Sequence, residues 1–148
     1  MAFHFVFEKM LRLRAGVEHQ EEQRLAVIAG EIAAIRAELA VCAQRRSEIR
    51  RAALQEVGGG SSGAELQFAV VCDEAAAELD RKLKVRLRAA EKTHARQLEV
   101  YRQARQKREV FERLRDRRFA TYRQETARHE QEAVDENFLI RLAREDED

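Results

Sequence analysis

The sequence contains no proline and no tryptophan, and only 6% of its 148 residues are aromatic. Proline is the strongest breaker of helices, so nothing of that kind interrupts the chain. A shortage of aromatic residues argues against a large compact core, and the composition is typical of a long helix or a coiled coil. A globular domain that encloses an active-site pocket is therefore not expected.

Glycine is also scarce, and four of the six glycines lie within the seven residues of 57–63. Glycine reverses a chain at little steric cost, whereas the flanking stretches are rich in Ala, Glu, Arg, Leu and Gln, which favour helices. A charged fraction of 37% would also fit a disordered chain, but the apolar residues are periodic. The pattern predicts a helix over about 5–57, a turn over 58–63, a second helix over about 64–143 and an acidic tail over 144–148.

Long apolar runs are absent. No stretch approaches the roughly 18 apolar residues of a membrane span, and the apolar residues 1–7 are followed at once by Glu8 and Lys9. This start lacks the basic segment and the small-residue cleavage site of a signal peptide. We expect a cytoplasmic protein without direct membrane insertion.

The residues that carry chemistry form no recognisable site. Cys42 and Cys72 lack the C-x-x-C spacing and, in a hairpin about the glycine segment, would lie roughly 10 Å out of register. We expect both to be reduced packing residues. The histidines, of which His94 falls on the apolar stripe, have no converging metal ligands, and no Gly-Lys-Ser/Thr follows the glycines. We therefore expect no catalytic residue, no metal and no cofactor, and a protein that is not an enzyme.

The net charge of +1 hides a strong asymmetry along the chain. Residues 81–128 carry seventeen basic and six acidic side chains, whereas residues 129–148 carry two basic and eight acidic ones. A basic helix invites a nucleic-acid interpretation. The arginines point to all sides of the helix, however, and the acidic end would repel phosphate. A solvated helix surface or docking to an acidic protein is favoured, with no nucleic-acid partner.

Both predicted helices carry heptad repeats, the pattern of a coiled-coil seam. The seam positions of the first helix are Ile28, Ile32, Ile35, Leu39, Cys42, Arg46, Ile49 and Ala53. Those of the second are Leu83, Leu87, Ala90, His94, Gln97, Tyr101, Ala104, Arg108 and Phe111. Upstream, Met10, Leu13 and Val17 continue a stripe, but Glu21 and Leu25 require an additional four-residue step before Ile28, a stutter.

An antiparallel hairpin within one chain explains both the glycine turn and the end of the second seam near residue 112. About this turn Leu39 faces Leu83, and Met10 faces Phe111. Because the first helix begins near residue 5, its partners end near residue 116, and the helix beyond is expected to be unpaired. A parallel dimer of extended chains would explain neither feature. The predicted fold is all-α, a long antiparallel two-helix coiled-coil hairpin with an unpaired C-terminal helical extension.

Motifs at both ends resemble those of a known family. The segment Phe3-His4-Phe5-Val6-Phe7-Glu8-Lys9-Met10-Leu11-Arg12-Leu13-Arg14 resembles the amino-terminal F-x-F-x-L-E-K-x-L-R-L-R pattern of the flagellar FliJ family. The segments 108–114, 122–125 and 130–136 resemble its carboxy-terminal signature, E-x-L…Y…E-Q-x-x-x-D-E. The resemblance covers essentially the whole chain. Glu132 departs from it, because the family often has Lys there, so the local charge differs.

This resemblance implies a component of the flagellar type III export apparatus. Family members are similar in shape to the coiled-coil part of the rotary ATP synthase gamma subunit. They sit at the centre of the hexameric export ATPase, contact the cytoplasmic part of the membrane export gate, and escort export chaperones. Such a protein would be peripheral at the inner-membrane base of the flagellum.

Two surfaces are candidates for these contacts. For the ATPase we predict the amino-terminal aromatics and the start of the unpaired helix: Phe3, Phe5, Phe7, Leu114, Arg118, Phe119 and Tyr122. Phe138 and Leu142, which lie further along the unpaired helix, are also expected to be exposed. For the export gate we predict residues near the turn, where apolar side chains occupy more than one face: Arg45, Ile49, Phe68, Val71 and Cys72. Phe68, Cys72 and Ile49 could instead simply cap the hairpin core.

Two other functions fit the same pattern. One is the stalk protein of a virulence type III injectisome, which would share the shape and the mechanism. The other is a generic coiled-coil adaptor.

Overall fold

The computed structural model describes residues 3–60 and 62–145, without the side chains of Glu56 and of residues 142–145. The described residues form two helices, α1 (Glu8–Gly59) and α2 (Gly63–Glu145), and no strand. The predicted all-α helical hairpin is confirmed. Helix α1 begins at Glu8 rather than near Phe5, because the aromatic residues before Glu8 form a turn, closed by a bond from the Glu8 amide to the Phe5 carbonyl.

The connection between the helices is shorter than the predicted segment of 58–63. Gly58 and Gly59 still belong to α1, and Gly63 already belongs to α2. Gly60, directly after the last residue of α1, has a φ of 85°, the left-handed conformation that favours glycine. Helix α2 starts with a capping box, which satisfies free amides of the first turn. In it, the Ser62 amide donates to Glu65 Oε2 at 3.0 Å, and the Glu65 amide donates to Ser62 Oγ at 3.4 Å.

The chain divides into two compact units. Unit 1 comprises Met1–Glu18 and Gln103–Asp148, and unit 2 comprises His19–Arg102. In unit 2 the predicted seam is confirmed, because Ile32, Ile35, Cys42 and Leu83 are its buried apolar residues. Ile35 is the most enclosed of them, with 2% of its surface exposed.

Polar pairs also join α1 to α2 in unit 2. Arg36 donates to Glu91 at 2.9 Å, and the Cys42 thiol donates to the Ala76 carbonyl at 3.2 Å. Gln97 donates from Nε2 to Glu21 Oε2 at 2.5 Å. These pairs set residues of α1 across from residues of α2 in the antiparallel order that the hairpin predicts.

In unit 1 the seam holds both apolar and charged side chains. Leu11 and Ala104 are buried. The half-buried Arg108 donates to Glu18 and to Glu112, and these bonds raise the pKa of its guanidinium above the ordinary arginine value, Glu18 contributing most. A cation at a seam position is therefore matched by carboxylates from both helices.

The prediction for the first turns of α1 is wrong. Met10 and Leu13 are exposed, whereas Leu11, Arg14 and Glu18 are enclosed together with the predicted Glu21 and Leu25. These residues continue the heptad spacing up to Ile28 in steps of three and four, so no stutter is needed. The physical reason is that Glu18 and Glu21 find polar partners on α2, which lets carboxylates occupy seam positions.

Candidate docking surfaces

The first candidate surface lies in unit 1, where the amino-terminal aromatics pack on α2. The Phe3 ring meets the Phe119 ring edge to face at a centroid distance of 5.2 Å, and lies 5.5 Å from the Tyr122 ring. Phe7 lies 5.9 Å from Phe5 and 6.2 Å from Phe111. Such contacts stabilise an aromatic pair beyond the effect of burial alone. They attach the non-helical segment before Glu8 to α2.

These contacts correct two predictions. Phe7 lies against Phe111, and Met10, which was predicted to face Phe111, is 40% exposed. The helix beyond residue 116 is not wholly unpaired, because Phe3 covers part of it up to Tyr122. Every side chain from Ala127 to Arg141 is exposed, whereas Thr126 is half-buried. The solvent-exposed extension therefore begins about ten residues later than expected. The predicted exposed residue Leu142 lies outside the described side chains.

The aromatic cluster surrounds a cavity of about 330 Å³. Its lining combines apolar and polar groups: Phe3, His4, Phe5, Val6, Phe7, Arg118, Thr121, Tyr122 and Glu125. Of the seven predicted ATPase-contact residues, five line this cavity. Phe119 packs on its outer side and stays 45% exposed, while Leu114 is half-buried and does not line it. The cavity thus places aromatic rings beside one basic and one acidic side chain, Arg118 and Glu125.

The second candidate surface is a groove of about 670 Å³ in unit 2. It is lined by Ala37, Glu38, Val41, Cys42, Arg45, Ile49, Cys72, Ala75, Ala76, Leu79 and Leu83. Ile49 and Cys72 also line a neighbouring cavity of about 440 Å³, together with Phe68. Of the five predicted gate residues, the structure thus brings four to two adjoining hollows, and the exposed Val71 lines neither.

Phe68 is 70% exposed. The alternative in which it caps the hairpin core is therefore wrong. Val41 and Leu79 were missed by the sequence reasoning, although both are exposed and line the larger groove. Val41 directly precedes the seam residue Cys42, and an apolar residue beside a seam position was the signal that could have identified it.

The described residues hold no group of three or more His, Cys, Asp or Glu that could bind a metal ion. Cys42 and Cys72 are both free. Within the described ranges, neither helix has a stretch long and apolar enough to cross a membrane.

These features define a class of protein: a two-helix hairpin whose surface carries exposed apolar and charged side chains. The chain matches the family of the flagellar FliJ protein over residues 3–147 and belongs to that family. It is thus a protein of flagellar export, in a family of non-catalytic coiled-coil proteins. No curated protein and no solved structure is significantly similar to the chain.

Proposed function

We propose that this chain is a non-enzymatic stalk that links the hexameric export ATPase to the membrane export gate and to export chaperones. In this role it acts in the cytoplasm, peripherally at the inner-membrane base of the flagellum. The membership of the flagellar family favours this function over an injectisome stalk or a generic adaptor. Each unit has one of the two surfaces that such a link requires.

The observation that carries the ATPase contact is the cluster of Phe3 with Phe119 and Tyr122. Aromatic residues and arginines dominate the binding energy of protein interfaces. Phe119 remains half exposed beside Arg118, which is exposed and makes no ion pair with another described residue. An acidic partner surface would gain a charge-assisted contact here without breaking an existing one.

The gate contact rests on the two adjoining hollows of unit 2. Phe68 projects from α2 with most of its surface free, and Val70 and Val71 beside it are exposed as well. Contiguous exposed apolar surface of this kind marks a protein interaction site. Arg45 borders the larger groove and adds a positive charge at its edge.

A reciprocal experiment separates the two contacts. Arg118→Glu and Phe119→Ala should each lower the stimulation of the purified export ATPase, and truncation after Arg117 should abolish it. The same two substitutions should leave binding to the cytoplasmic part of the export gate unchanged. Phe68→Ala should do the reverse, and each variant is thereby the control for the other.

Circular dichroism should show unchanged helicity for all three substitutions, because the altered side chains are largely exposed. If the truncated protein still stimulates the ATPase fully, the proposal that unit 1 contacts the ATPase hexamer is wrong. A Phe68→Ala variant that binds the gate as well as the original would remove the assignment of unit 2.

A further inference from the structure

The proposed function uses only the start of this last part of α2, at Arg118, Phe119 and Tyr122, and leaves its charge pattern unexplained. Residues 117–128 carry four basic side chains and one acidic side chain, and residues 129–141 carry four acidic side chains and one basic one. The helix thus changes from a net charge of +3 to one of −3 at His129. Both halves together span 25 residues, or roughly 37 Å of helix.

This part of α2 is also poorly covered by its own chain. From Ala127 to Arg141 every side chain is exposed, including Val134, Phe138, Leu139 and Ile140. A helix without tertiary contacts is only marginally stable in water, and clustered exposed apolar residues indicate an interaction site. The segment therefore requires a partner that covers apolar residues and complements both charges.

We propose that the partner is a second copy of this chain, bound antiparallel through residues 117–141. In that arrangement the basic half of each copy lies against the acidic half of the other. A parallel pair would instead bring like charges together, which is destabilising. The two-fold axis passes near His129, and both copies use the same surface, as in isologous dimers.

The residues that this axis brings to one level include complementary pairs, whereas Arg117 lies level with the like-charged Arg141. Arg123 of one copy lies level with Asp135 of the other, and Arg128 with Glu130. Phe119, which is half exposed, lies level with Leu139. The Arg128–Glu132 ion pair within one copy is largely exposed. Exposed ion pairs contribute little to stability, so losing this pair would not prevent the dimer from forming.

Sedimentation velocity of the purified full chain tests the proposal, and it needs no other protein. We expect a monomer–dimer equilibrium that weakens as salt rises from about 0.05 to 0.5 M, because exposed charges are screened. One variant makes both halves basic, with Glu130→Lys, Asp135→Lys and Glu136→Lys. The other makes both halves acidic, with Arg117→Glu, Arg118→Glu and Arg123→Glu.

Each variant alone should dimerise at least tenfold more weakly, because its halves repel. An equimolar mixture of the two should form a heterodimer at least as stable as the original dimer, which also shows that neither variant is misfolded. The control variant reverses three exposed cations of unit 2, Arg86, Arg88 and Lys92, and should dimerise as before.

A chain that stays monomeric at low salt and high concentration would overturn the proposal, and so would a dimer that is indifferent to both triple variants. A mixture that fails to associate although each variant is helical would overturn the antiparallel arrangement. An original chain that dimerises but does not stimulate the ATPase would contradict only the proposed function, so the two proposals can fail separately.

Discussion

Arg46 of α1 donates from Nε to Oδ1 of Asp73 on α2 over 3.0 Å, although Arg46 occupies a seam position whose neighbours are apolar. Arg50, one turn further along α1, donates to the other carboxylate oxygen at 3.2 Å. A single polar pair in an apolar seam fixes the register of a coiled coil, since a shifted register leaves the charges unpaired. This pair therefore sets the alignment of α1 and α2 near the turn.

The Asp73 pair should make stability depend on pH. The hydrogen bond from Arg46, followed by that from Arg50, lowers the pKa of Asp73 below its ordinary value of 3.8. A lowered carboxyl pKa contributes stability that is present above the ordinary value and is lost as the pH falls through the folded value. Urea midpoints of the original protein and of Asp73→Asn should differ at pH 7 and converge towards pH 2.

The control for that titration is Glu38→Gln, since Glu38 is exposed and makes no ion pair. Its midpoint should follow that of the original protein at every pH. If the urea midpoints of Asp73→Asn and of the original protein still differ at pH 2, the pH dependence of stability does not come from the Asp73 carboxylate.

The centre of unit 2 should depend strongly on Ile35. Replacing this 2% exposed residue by alanine removes buried methyl groups and leaves a cavity, so Ile35→Ala should lower the free energy of unfolding by about 2–5 kcal/mol. Val85→Ala on the exposed side of α2 is the control and should change it by less than about 0.5 kcal/mol. Equal effects in urea denaturation would show that Ile35 is not the centre of the seam.

Two adjacent glycines at the turn should respond to alanine with opposite signs. Gly60 has a φ of 85°, so Gly60→Ala should destabilise the hairpin by about 1 kcal/mol. Gly59 ends α1 without a left-handed φ, and Gly59→Ala should stabilise it by about 0.5–1 kcal/mol. An added Cβ contacts nothing at either position, so backbone conformation alone decides. Thermal midpoints that move in the same direction would contradict this account.

The Glu21–Gln97 pair should behave as one unit. Glu21 is 8% exposed, and its hydrogen bond from Gln97 is the main cause that lowers its pKa, followed by contacts with Arg24. Gln97→Leu should destabilise the protein because it leaves an enclosed carboxylate without its partner on α2. The double variant Glu21→Leu with Gln97→Leu should recover at least the original thermal midpoint. A double variant that is less stable than either single one would contradict this coupling.

The aromatic cluster should protect the helix that it covers. Phe3→Ala removes the ring that contacts Phe119 and Tyr122, so amide hydrogen exchange of residues 117–126 should become faster. Exchange in unit 2 should not change. Val6→Ala is the matched control, since Val6 lies in the same segment and is 79% exposed. Unchanged exchange in Phe3→Ala would mean that the segment is not held by this ring.

Much of the fold could be predicted from local chemistry. The absence of proline and the glycine cluster determined two helices and one reversal, because both effects act through the backbone of the residue itself. The seam from Ile28 to Ala53 could be predicted from the sequence, since its apolar residues recur at heptad spacing. The capping box of Ser62 and Glu65 is equally local and was also open to prediction.

The candidate sites were only partly predictable. Four of the five predicted gate residues meet at two adjoining hollows, because Arg45 precedes Ile49 and Phe68 precedes Cys72 by one helical turn, which places each pair on one side of its helix. Val41 and Leu79 were missed because the width of a groove depends on how the side chains of both helices pack. The amino-terminal aromatics were predicted to lie beside the base of the extension, but the ring contacts of Phe3 with Phe119 and Tyr122 were not predicted.

Two features depended on the tertiary structure alone. These are the choice of residues that form the seam before Ile28, and the point along α2 where contacts with the amino-terminal segment end. Apolarity pointed to Met10 and Leu13, yet Glu18 and Glu21 are enclosed, because partners distant in sequence satisfy their carboxylates. Phe3 reaches Phe119 because the chain before Glu8 is not helical. The sequence by itself determined the helices and most of the seam through local preference. The position of charged and aromatic side chains depended on their partners, and those exist only once α1 and α2 have met.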